Sequence, residues 1–226
     1  MAADATIKLT QSWLTQLGYD IGTADGVWGN RSQGALDALK ASTVKPGTTY
    51  GVSKLAWGKK LTDAETAKLA QVIQRLKMSP VTIQDFMGCI AWESNKTFSP
   101  SVKAPNSSAT GLIQFMDATA KGLGTTTAAL AKMTVIEQLE YVYNYFKPYA
   151  GRLNNLGDLY MAILWPRGIG QPDSYVLWDE AIYPAPFAAN KGLDLNNDHK
   201  VTRMECLHKV NNRLVEGFLP ANVKAV

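Results

Sequence analysis

The segment from Thr82 to Ser94 constrains the fold more than any other stretch of the chain. Its apolar residues recur at the three- and four-residue spacing of one helix face. They are Ile83, Phe86, Met87 and Ile90. The same period recurs in residues 5–17, in a helix N-capped by Asn30, in residues 63–77 after Thr62 or Asp63, and after Thr134. Turn-rich stretches separate these segments, and residues 42–62 read as loops. The sequence therefore predicts an all-α, mainly helical fold.

The N-terminal segment carries a turn motif between two of these helices. Leu14, Leu17, Gly18 and Tyr19 precede Asp25-Gly26-Val27-Trp28-Gly29, and Ser32 and Ala35 follow. This pattern resembles the peptidoglycan-binding type 1 module of cell-wall hydrolases, although Ser32 replaces the usual Thr and Leu39-Lys40 replace the usual Phe-Gln. The resemblance implies a small three-helix wall-binding domain at residues 1–64, with wall contacts from Tyr19, Asp25, Gly26, Trp28 and Arg31. The alternative is a helical bundle that only caps a second domain at residues 65–226.

The sequence indicates Glu93 as the candidate for acid–base catalysis. If the stripe of the preceding helix continues, residues 93 and 94 fall at the edge of the buried face, at the helix C-terminus. Burial and the negative helix end both raise a carboxyl pKa. A carboxyl that stays neutral near pH 7 can act as a general acid. The ordinary alternative is a solvated Glu in the last helical turn.

A second motif follows at a distance. Ser108-Ala109-Thr110-Gly111-Leu112-Ile113-Gln114-Phe115-Met116 precedes Ala118-Thr119-Ala120. Glu93-Ser94 followed by this segment resembles the soluble lytic transglycosylase family of the lysozyme-like superfamily. The resemblance implies a lysozyme-like helical catalytic domain with Glu93 as the catalytic acid. It also implies substrate-binding residues, which are Ser94, Ser108, Gly111, Leu112, Ile113, Gln114 and Phe115.

The family's later Tyr-Asn-Ala-Gly motif is absent from this chain. Tyr160-Met161-Ala162 and the residues up to Trp165 occupy the corresponding stretch, as in some phage endolysins, and Tyr160 or Trp165 is expected to fill the substrate-binding role. Some tyrosines of residues 141–149 are also able to stack on sugars, although most are expected to be core or surface residues.

The resemblance implies cleavage of the MurNAc-β-1,4-GlcNAc bond of peptidoglycan. No Asp or Glu lies between Glu93 and Gln114, and Asp117 is the next carboxylate. Glycosidases usually employ two carboxylates. In the family, one Glu suffices: it protonates the glycosidic oxygen and then deprotonates the C6 hydroxyl, which gives a 1,6-anhydro end. Hydrolysis of the same bond by a muramidase, with a second acid from elsewhere, is the alternative. No cofactor is required by either route.

Residues 194–205 are similar to an EF-hand calcium loop. Oxygen-bearing side chains occupy loop positions 1, 3, 5, 9 and 12. The predicted ligands are Asp194, Asn196, Asp198, Lys200, Thr202 and Glu205. His199 replaces the usual Gly, and Pro184 and Pro186 argue against a normal entering helix. The alternative is a structural turn in which Asp194 and Asp198 bind backbone amides.

Composition excludes several other functions. The net charge is +4, and no run of five or six basic residues supports nucleic-acid binding. Two cysteines and two histidines cannot form a Cys-rich zinc site, and no His-Glu-x-x-His motif is present. No apolar run is long enough for a membrane span, and no signal peptide is visible.

The leading interpretation is therefore a modular, bacteriolytic phage endolysin. It would be a monomer that acts on bacterial peptidoglycan, made in the host cytoplasm and released to the periplasm or cell wall by a partner such as a holin. Two alternatives stay open. One is a non-catalytic wall-binding or virion structural protein. The other is a Cys/His endopeptidase or amidase that depends on Cys89, although this residue reads as a buried apolar position.

Overall fold

The structure is a computed structural model, and it describes residues 3–226. It is mainly helical, as the sequence predicts. The α-helices are α1 Ala5–Gln16, α2 Asn30–Ser42, α3 Asp63–Arg75, α4 Ile83–Glu93, α5 Asp117–Gly122, α6 Thr127–Leu130, α7 Val135–Phe146, α8 Leu156–Leu164, α9 Pro184–Asn190 and α10 Arg203–Gly217. The short strands are β1 Lys54–Leu55, β2 Val176–Asp179, β3 Lys200–Thr202 and β4 Lys224–Ala225. Strand β1 pairs with β4 and β2 pairs with β3, both antiparallel.

Three helices begin at the same local signal, a Thr followed three residues later by a Glu. Thr62, Thr134 and Thr202 each accept a hydrogen bond from the Glu amide, and each Glu side chain accepts one from the Thr amide. This reciprocal arrangement satisfies backbone donors that a helix start otherwise leaves free. The predicted starts at Thr62 and Thr134 are confirmed. Asn30 is instead the first residue of α2, and Gly29 occupies the N-cap position.

Helix α4 forms the centre of the core. The sequence predicts one apolar stripe, but every residue from Ile83 to Ala91 is buried. Helix α10 packs most extensively against α4, and α8 and α3 also contact it. Because neighbours surround the helix, its polar residues need partners inside the protein. The amide of Gln84 therefore bonds the backbone of Lys54 and Ala56.

The N-terminal segment packs on the C-terminal helix. Helix α1 lies against α10, where the Asn212 amide donates a buried hydrogen bond of 2.9 Å to the Thr10 hydroxyl. On α2, Lys40 forms an ion pair of 2.6 Å with the buried Asp85 of α4. Apolar residues on both sides of the predicted boundary at residues 64 and 65 belong to one continuous core.

The stretch predicted as loops, residues 42–62, contains strand β1 and a 3-10 turn at Gly58–Lys60. Strand β1 exists because the chain's last residues return to pair with it, which local sequence cannot reveal. Within residues 3–226, no helix combines the length and the apolar character needed to cross a membrane.

Candidate active site

Glu93 is the last residue of α4, as the sequence predicts. Its side chain keeps partial access to solvent, yet protein surrounds it closely. Burial raises the pKa of Glu93 from its ordinary value of 4.5 to about 8. No hydrogen bond or ion pair joins this carboxyl to any of residues 3–226, so nothing in the described chain offsets the desolvation of its charge. The group is therefore mostly protonated near pH 7.

Two tyrosines lie within the electrostatic range of Glu93. Burial raises the pKa of Tyr145 to about 12, and the charges of Tyr149 and then Glu93 add to this rise. Burial first, and then the charge of Glu93, raises the pKa of the buried Tyr160 well above its usual range. The Trp92 indole donates a hydrogen bond of 3.2 Å to the Tyr160 hydroxyl. The structure thus places the predicted Tyr160 close to Glu93. It also adds Tyr145, which the sequence left among the tyrosines of uncertain role.

The segment Gly111–Phe115 forms a tight turn that a single buried side chain fixes. Gly111 has a φ of +84°, and a Cβ there would lie 2.3 Å from the Gln138 side chain, so only glycine fits. The Leu112 amide donates to the Gln138 carbonyl at 2.7 Å, and the Gln138 amide group donates to Pro100 and Leu130. No sequence motif marks Gln138, although an amide at a core position of α7 is a recognisable signal.

The other residues of this turn differ in exposure and in role. Leu112 and Ile113 are buried in the core. Gln114 has a φ of +54° and donates to the Gly111 carbonyl at 2.9 Å, so its amide closes the turn. Phe115 is buried and packs edge-on against Tyr145, with ring centroids 6.1 Å apart. Tyr145 therefore connects this turn with the surroundings of Glu93.

The two predicted serines make local structural contacts. Ser94 is buried, donates to the Ile90 carbonyl at 2.6 Å and accepts from the Phe98 amide at 3.0 Å. These bonds hold the chain as it leaves α4, immediately after Glu93. The hydroxyl of Ser108 accepts from the Asp117 amide at 3.2 Å, at the start of α5. Both serines therefore shape the backbone around the candidate site.

Trp165 belongs to an aromatic cluster at the end of α8. Its ring contacts Trp178 and Tyr183 edge-on, with centroids 5.7 and 6.4 Å away, and the Arg167 guanidinium lies 5.9 Å from its ring centroid. Within residues 3–226, no hydrogen bond joins Trp165 to Glu93, and its aromatic partners are Trp178 and Tyr183. Of the two residues considered for the family's tyrosine position, Tyr160 is the one near the carboxyl.

The predicted wall-binding residues Asp25, Gly26 and Trp28 hold their own turn together. The Asp25 carboxylate accepts from Gln11 and from the Val27 amide, both at 2.9 Å, and these bonds lower its pKa. A Cβ on Gly26, whose φ is +81°, would approach the backbone of Asp4 to 2.9 Å. Trp28 is buried.

Tyr19 and Arg31 are the more accessible members of the predicted wall-binding set. The Tyr19 hydroxyl donates to Ser42 at 2.8 Å, and Arg31 is exposed. Gln11, which sequence analysis missed, joins Asp25, Val27 and Ser32 with its amide nitrogen and accepts from the Gly26 amide. This one side chain therefore fixes the geometry of the whole motif.

The segment before the predicted calcium loop is helical, which the sequence does not predict. A normal entering helix was not expected after Tyr183, yet Pro184–Asn190 forms α9. Pro184 takes the first helical position, and the first-turn amides have no intrahelical acceptor, so prolines there remove no helical hydrogen bond. Together with α10, this gives a helix–loop–helix around Asp194–Glu205. His199, at the position that is usually Gly, adopts a φ of +63°.

The loop carboxylates already bind backbone amides. Asp194 accepts from the Asp198 and His199 amides, and Asp198 accepts from the Lys200 amide. Glu205 accepts from Leu195 and Thr202. Within residues 3–226, no group of three or more His, Cys, Asp or Glu side chains is arranged to hold a metal ion. The oxygen-rich donor set has the chemistry that Ca²⁺ prefers, while the present hydrogen bonds are those of a structural turn.

Cys89 does not have the surroundings of a nucleophile. It is buried in α4, and burial raises the pKa of its thiol well above the usual range, which disfavours the thiolate. His208 is also buried, its Nδ1 lies against the Glu205 carbonyl, and desolvation lowers its pKa. Within residues 3–226, no hydrogen bond joins the two residues. The geometry therefore disfavours a Cys/His hydrolase.

Comparison with protein-family models finds no match, and no curated protein matches the chain.

Proposed function

We propose that the chain is a peptidoglycan glycosidase that cleaves the MurNAc-β-1,4-GlcNAc bond as a lytic transglycosylase, leaving 1,6-anhydro-MurNAc ends. The observation that best supports the proposal is the protonated state of Glu93 near neutral pH. Its pKa of about 8 keeps a proton available near neutral pH, at the end of a buried helix and beside Tyr145 and Tyr160. A general acid needs this combination of a retained proton and access to substrate.

The reaction begins with proton transfer from Glu93 to the glycosidic oxygen. The bond from that oxygen to C1 of MurNAc then breaks, and GlcNAc leaves as the alcohol. The N-acetyl carbonyl of MurNAc stabilises the positive charge that develops at C1. Glu93, now a carboxylate, takes the proton of the C6 hydroxyl while O6 bonds to C1. The ring closes, Glu93 recovers its proton, and no water is consumed.

Burial of Glu93 affects the two steps differently. In the first step, the raised pKa keeps the proton on Glu93 near neutral pH, so that it is available to the glycosidic oxygen. Desolvation destabilises the carboxylate that forms after the first transfer, which makes Glu93 a stronger base towards the C6 hydroxyl. Burial accounts for the raised pKa of Glu93, and no charge of a second carboxylate contributes to it. A mechanism with a single carboxylate is therefore favoured over the hydrolytic muramidase, which needs a second group to activate water.

The other predicted roles complete the proposal. The residues of Gly111–Phe115, with Tyr160, would bind the glycan, and the turn at Asp25–Trp28 would contribute wall binding from the N-terminal segment. No cofactor takes part in the reaction. Calcium, if held by Asp194, Asn196, Asp198, Lys200, Thr202 and Glu205, would stabilise the helix–loop–helix and would not act on the glycan. Host lysis as a phage endolysin, with release by a holin, is the corresponding biological role.

Mass spectrometry of digested peptidoglycan tests the proposal. Anhydro-muropeptides are expected from the wild-type chain and none from Glu93→Gln, because glutamine cannot donate the proton. Reducing MurNAc ends would instead identify a muramidase, and free stem peptides would contradict both. Unchanged digestion by Glu93→Gln would contradict the assignment of Glu93.

Glu137→Gln is the matched control. Glu137 is exposed and closes the capping box of α7, a role that glutamine also performs. Full activity is expected from this variant. The absence of products from the wild-type chain, together with retained binding to wall material, would favour the non-catalytic alternative.

A further inference from the structure

Three residues of α4, spaced at i, i+3 and i+4, share the helix face on which the candidate acid lies. They are Cys89, Trp92 and Glu93. Tyr160 of α8 lies against this face. The Trp92 indole donates to its hydroxyl at 3.2 Å. Burial raises the pKa of Tyr160, and the charges of Glu93 and Cys89 add to the rise. The indole and the carboxyl therefore approach one phenol from adjacent positions of the same helix.

The hydroxyl hydrogen of Tyr160 has no acceptor within residues 3–226. An indole N–H can only donate, so the Tyr160 oxygen is the acceptor from Trp92 and its own hydrogen needs another partner. The Tyr145 hydroxyl, in contrast, donates to the Ala162 carbonyl at 3.0 Å. Of the two tyrosines near Glu93, Tyr160 is therefore the one whose donor is still available. Its side chain is only 6% exposed, so water has little access to it.

Glu93 needs such a donor once it has given up its proton. Burial disfavours its carboxylate, and no hydrogen bond or ion pair with residues 3–226 offsets this cost. A donor that is already oriented stabilises a developing negative charge without reorganisation. The Tyr160 hydroxyl stays protonated at neutral pH because of its raised pKa. No hydrogen bond joins the two groups within the described residues, and bonds of this kind commonly tighten only when substrate is bound.

The Trp92 ring is held from a third element. The ammonium of Lys209, on α10, lies 5.8 Å from the centroid of this ring. A cation at this distance is attracted to the face of an indole. The hydrogen bond to Tyr160 and the contact with Lys209 together restrict the ring to one orientation, so the N–H meets the phenol oxygen in a defined direction.

We propose that Trp92 is a positioning residue, whose N–H orients the Tyr160 hydroxyl so that it donates to the carboxylate that Glu93 becomes. The inference rests on the proposed function for the reaction in which that carboxylate forms. Tyr160 donates a hydrogen bond and keeps its proton, so the proton balance of the cleavage is unchanged. The bond eases the first transfer, in which burial opposes the new charge on Glu93.

Kinetics of Trp92→Phe test the proposal, because phenylalanine keeps an aromatic ring and loses the N–H. We expect kcat on soluble glycan fragments to fall about tenfold with KM nearly unchanged, as for a weakened hydrogen bond to a charged group. Tyr160→Phe should lose at least as much. Adding Trp92→Phe to Tyr160→Phe should cause little further loss, because Trp92 acts through that hydroxyl.

Trp178→Phe is the matched control. The Trp178 indole N–H is also buried, but it has no hydrogen-bond partner within residues 3–226, so the same substitution removes no hydrogen bond. Wild-type kcat is expected from this variant. An equal fall in kcat for Trp178→Phe and Trp92→Phe, or fully additive losses for Trp92→Phe and Tyr160→Phe, would overturn the positioning role.

The dependence on pH separates positioning from packing. Loss of a donor to the carboxylate favours protonated Glu93, so the alkaline decline of kcat should move to higher pH in Trp92→Phe. Stability gives a readout that needs no activity. The Tm cost of Trp92→Phe should be larger at pH 9, where most Glu93 is charged, than at pH 6. In a Glu93→Gln background this difference should vanish. An equal cost at both pH values would overturn the proposal.

The two proposals fail in distinguishable ways. If the wild-type chain yields no anhydro-muropeptides but the Tm cost of Trp92→Phe still depends on pH and on Glu93, the proposed reaction fails and the contact with Tyr160 stands. If the wild-type chain yields them, Glu93→Gln does not, and Trp92→Phe keeps the wild-type kcat, only the role of Trp92 fails.

Discussion

The ring of Tyr145 meets that of Phe115 edge-on, with centroids 6.1 Å apart and planes at 88°. The Tyr145 hydroxyl also donates to the Ala162 carbonyl of α8 at 3.0 Å. The charge of Glu93 contributes to the raised pKa of the same hydroxyl. Tyr145 therefore connects the turn that ends at Phe115 with the surroundings of Glu93.

Two substitutions at Tyr145 should separate its ring from its hydroxyl. Tyr145→Phe keeps the aromatic contact and loses one hydrogen bond, so we expect a loss of about 1 kcal/mol in unfolding free energy and most of the activity retained. Tyr145→Leu also removes the aromatic pair and should reduce both further. Urea unfolding and turbidity assays on cell walls measure the two effects. Equal losses for both variants would contradict a positioning role for the ring.

The raised pKa of Glu93 predicts a pH-dependent stability. Below its ordinary pKa of 4.5, Glu93 is protonated in both states and has no effect on stability. As the pH rises from 4.5 to 8, the unfolded chain loses this proton while the folded chain keeps it, so folding becomes less favourable. Above about pH 8 the loss is complete. The Tm of Glu93→Gln minus that of the wild type should therefore increase between pH 4.5 and 8 and then level off.

The raised pKa of Glu93 also predicts how the activity declines at alkaline pH. Because Glu93 must donate its proton first, kcat/KM should fall above about pH 8. Assays on soluble glycan fragments between pH 5 and 10 measure this decline in kcat/KM. A decline already centred near pH 4.5, the ordinary value for a glutamate, would show that Glu93 is not held in its protonated form.

Local sequence patterns predicted the helical elements well. The starts at Thr62 and Thr134 follow from capping chemistry, and the end of α4 at Glu93 follows from the apolar period. The sequence pattern does not reveal α9, because prolines usually break helices, whereas Pro184 at the first helical position removes no hydrogen bond.

Partners that are distant in sequence could not be predicted in the same way. Gln138 lies 26 residues from the Leu112 amide that it accepts from, and Asn212 lies 202 residues from Thr10. Gln138 lies on the periodic buried face of α7, but neither residue belongs to a motif that would identify its partner. The complete burial of α4 is a similar case, because it depends on α10 folding back across it.

Replacing Gln138 should destabilise the turn that contains the predicted glycan contacts. Gln138→Leu leaves the buried Leu112 amide and the Pro100 and Leu130 carbonyls without their partner. We expect a loss of about 2 to 3 kcal/mol in unfolding free energy and a larger loss in activity than this alone explains. The exposed Gln74→Leu is the control. Wild-type activity in folded Gln138→Leu would show that the turn does not position substrate.

Calcium should stabilise the chain if the loop after α9 holds it. Binding to the folded state alone adds about 2.7 kcal/mol at 100 times the dissociation constant, so the Tm should rise by several degrees when calcium replaces a chelator. Asp194→Asn should abolish the rise, because it removes a charged ligand, while its one side-chain oxygen can still accept from either the Asp198 or the His199 amide. An equal Tm with calcium and with chelator would identify the loop as a structural turn.

The ion pair between Lys40 and Asp85 should couple the N-terminal segment to the central helix. Asp85 is 2% exposed; burial raises its pKa, and Lys40 opposes this shift. Lys40→Met leaves the buried carboxylate unpaired, and we expect a loss of about 3 kcal/mol at pH 7, the lower end for a buried pair because Lys40 keeps some solvent access. The loss should shrink towards pH 4, where protonation removes the unpaired charge.

The double variant distinguishes the pair from lysine packing. Adding Asp85→Asn to Lys40→Met removes the charge that lost its partner, so it should recover much of the stability, whereas Asp85→Asn alone should not stabilise the wild type. Urea unfolding of the four proteins at pH 4 and pH 7 gives the coupling energy. A coupling near zero at pH 7 would mean that other contacts, such as the Asn212–Thr10 hydrogen bond and apolar packing, hold the N-terminal segment in place.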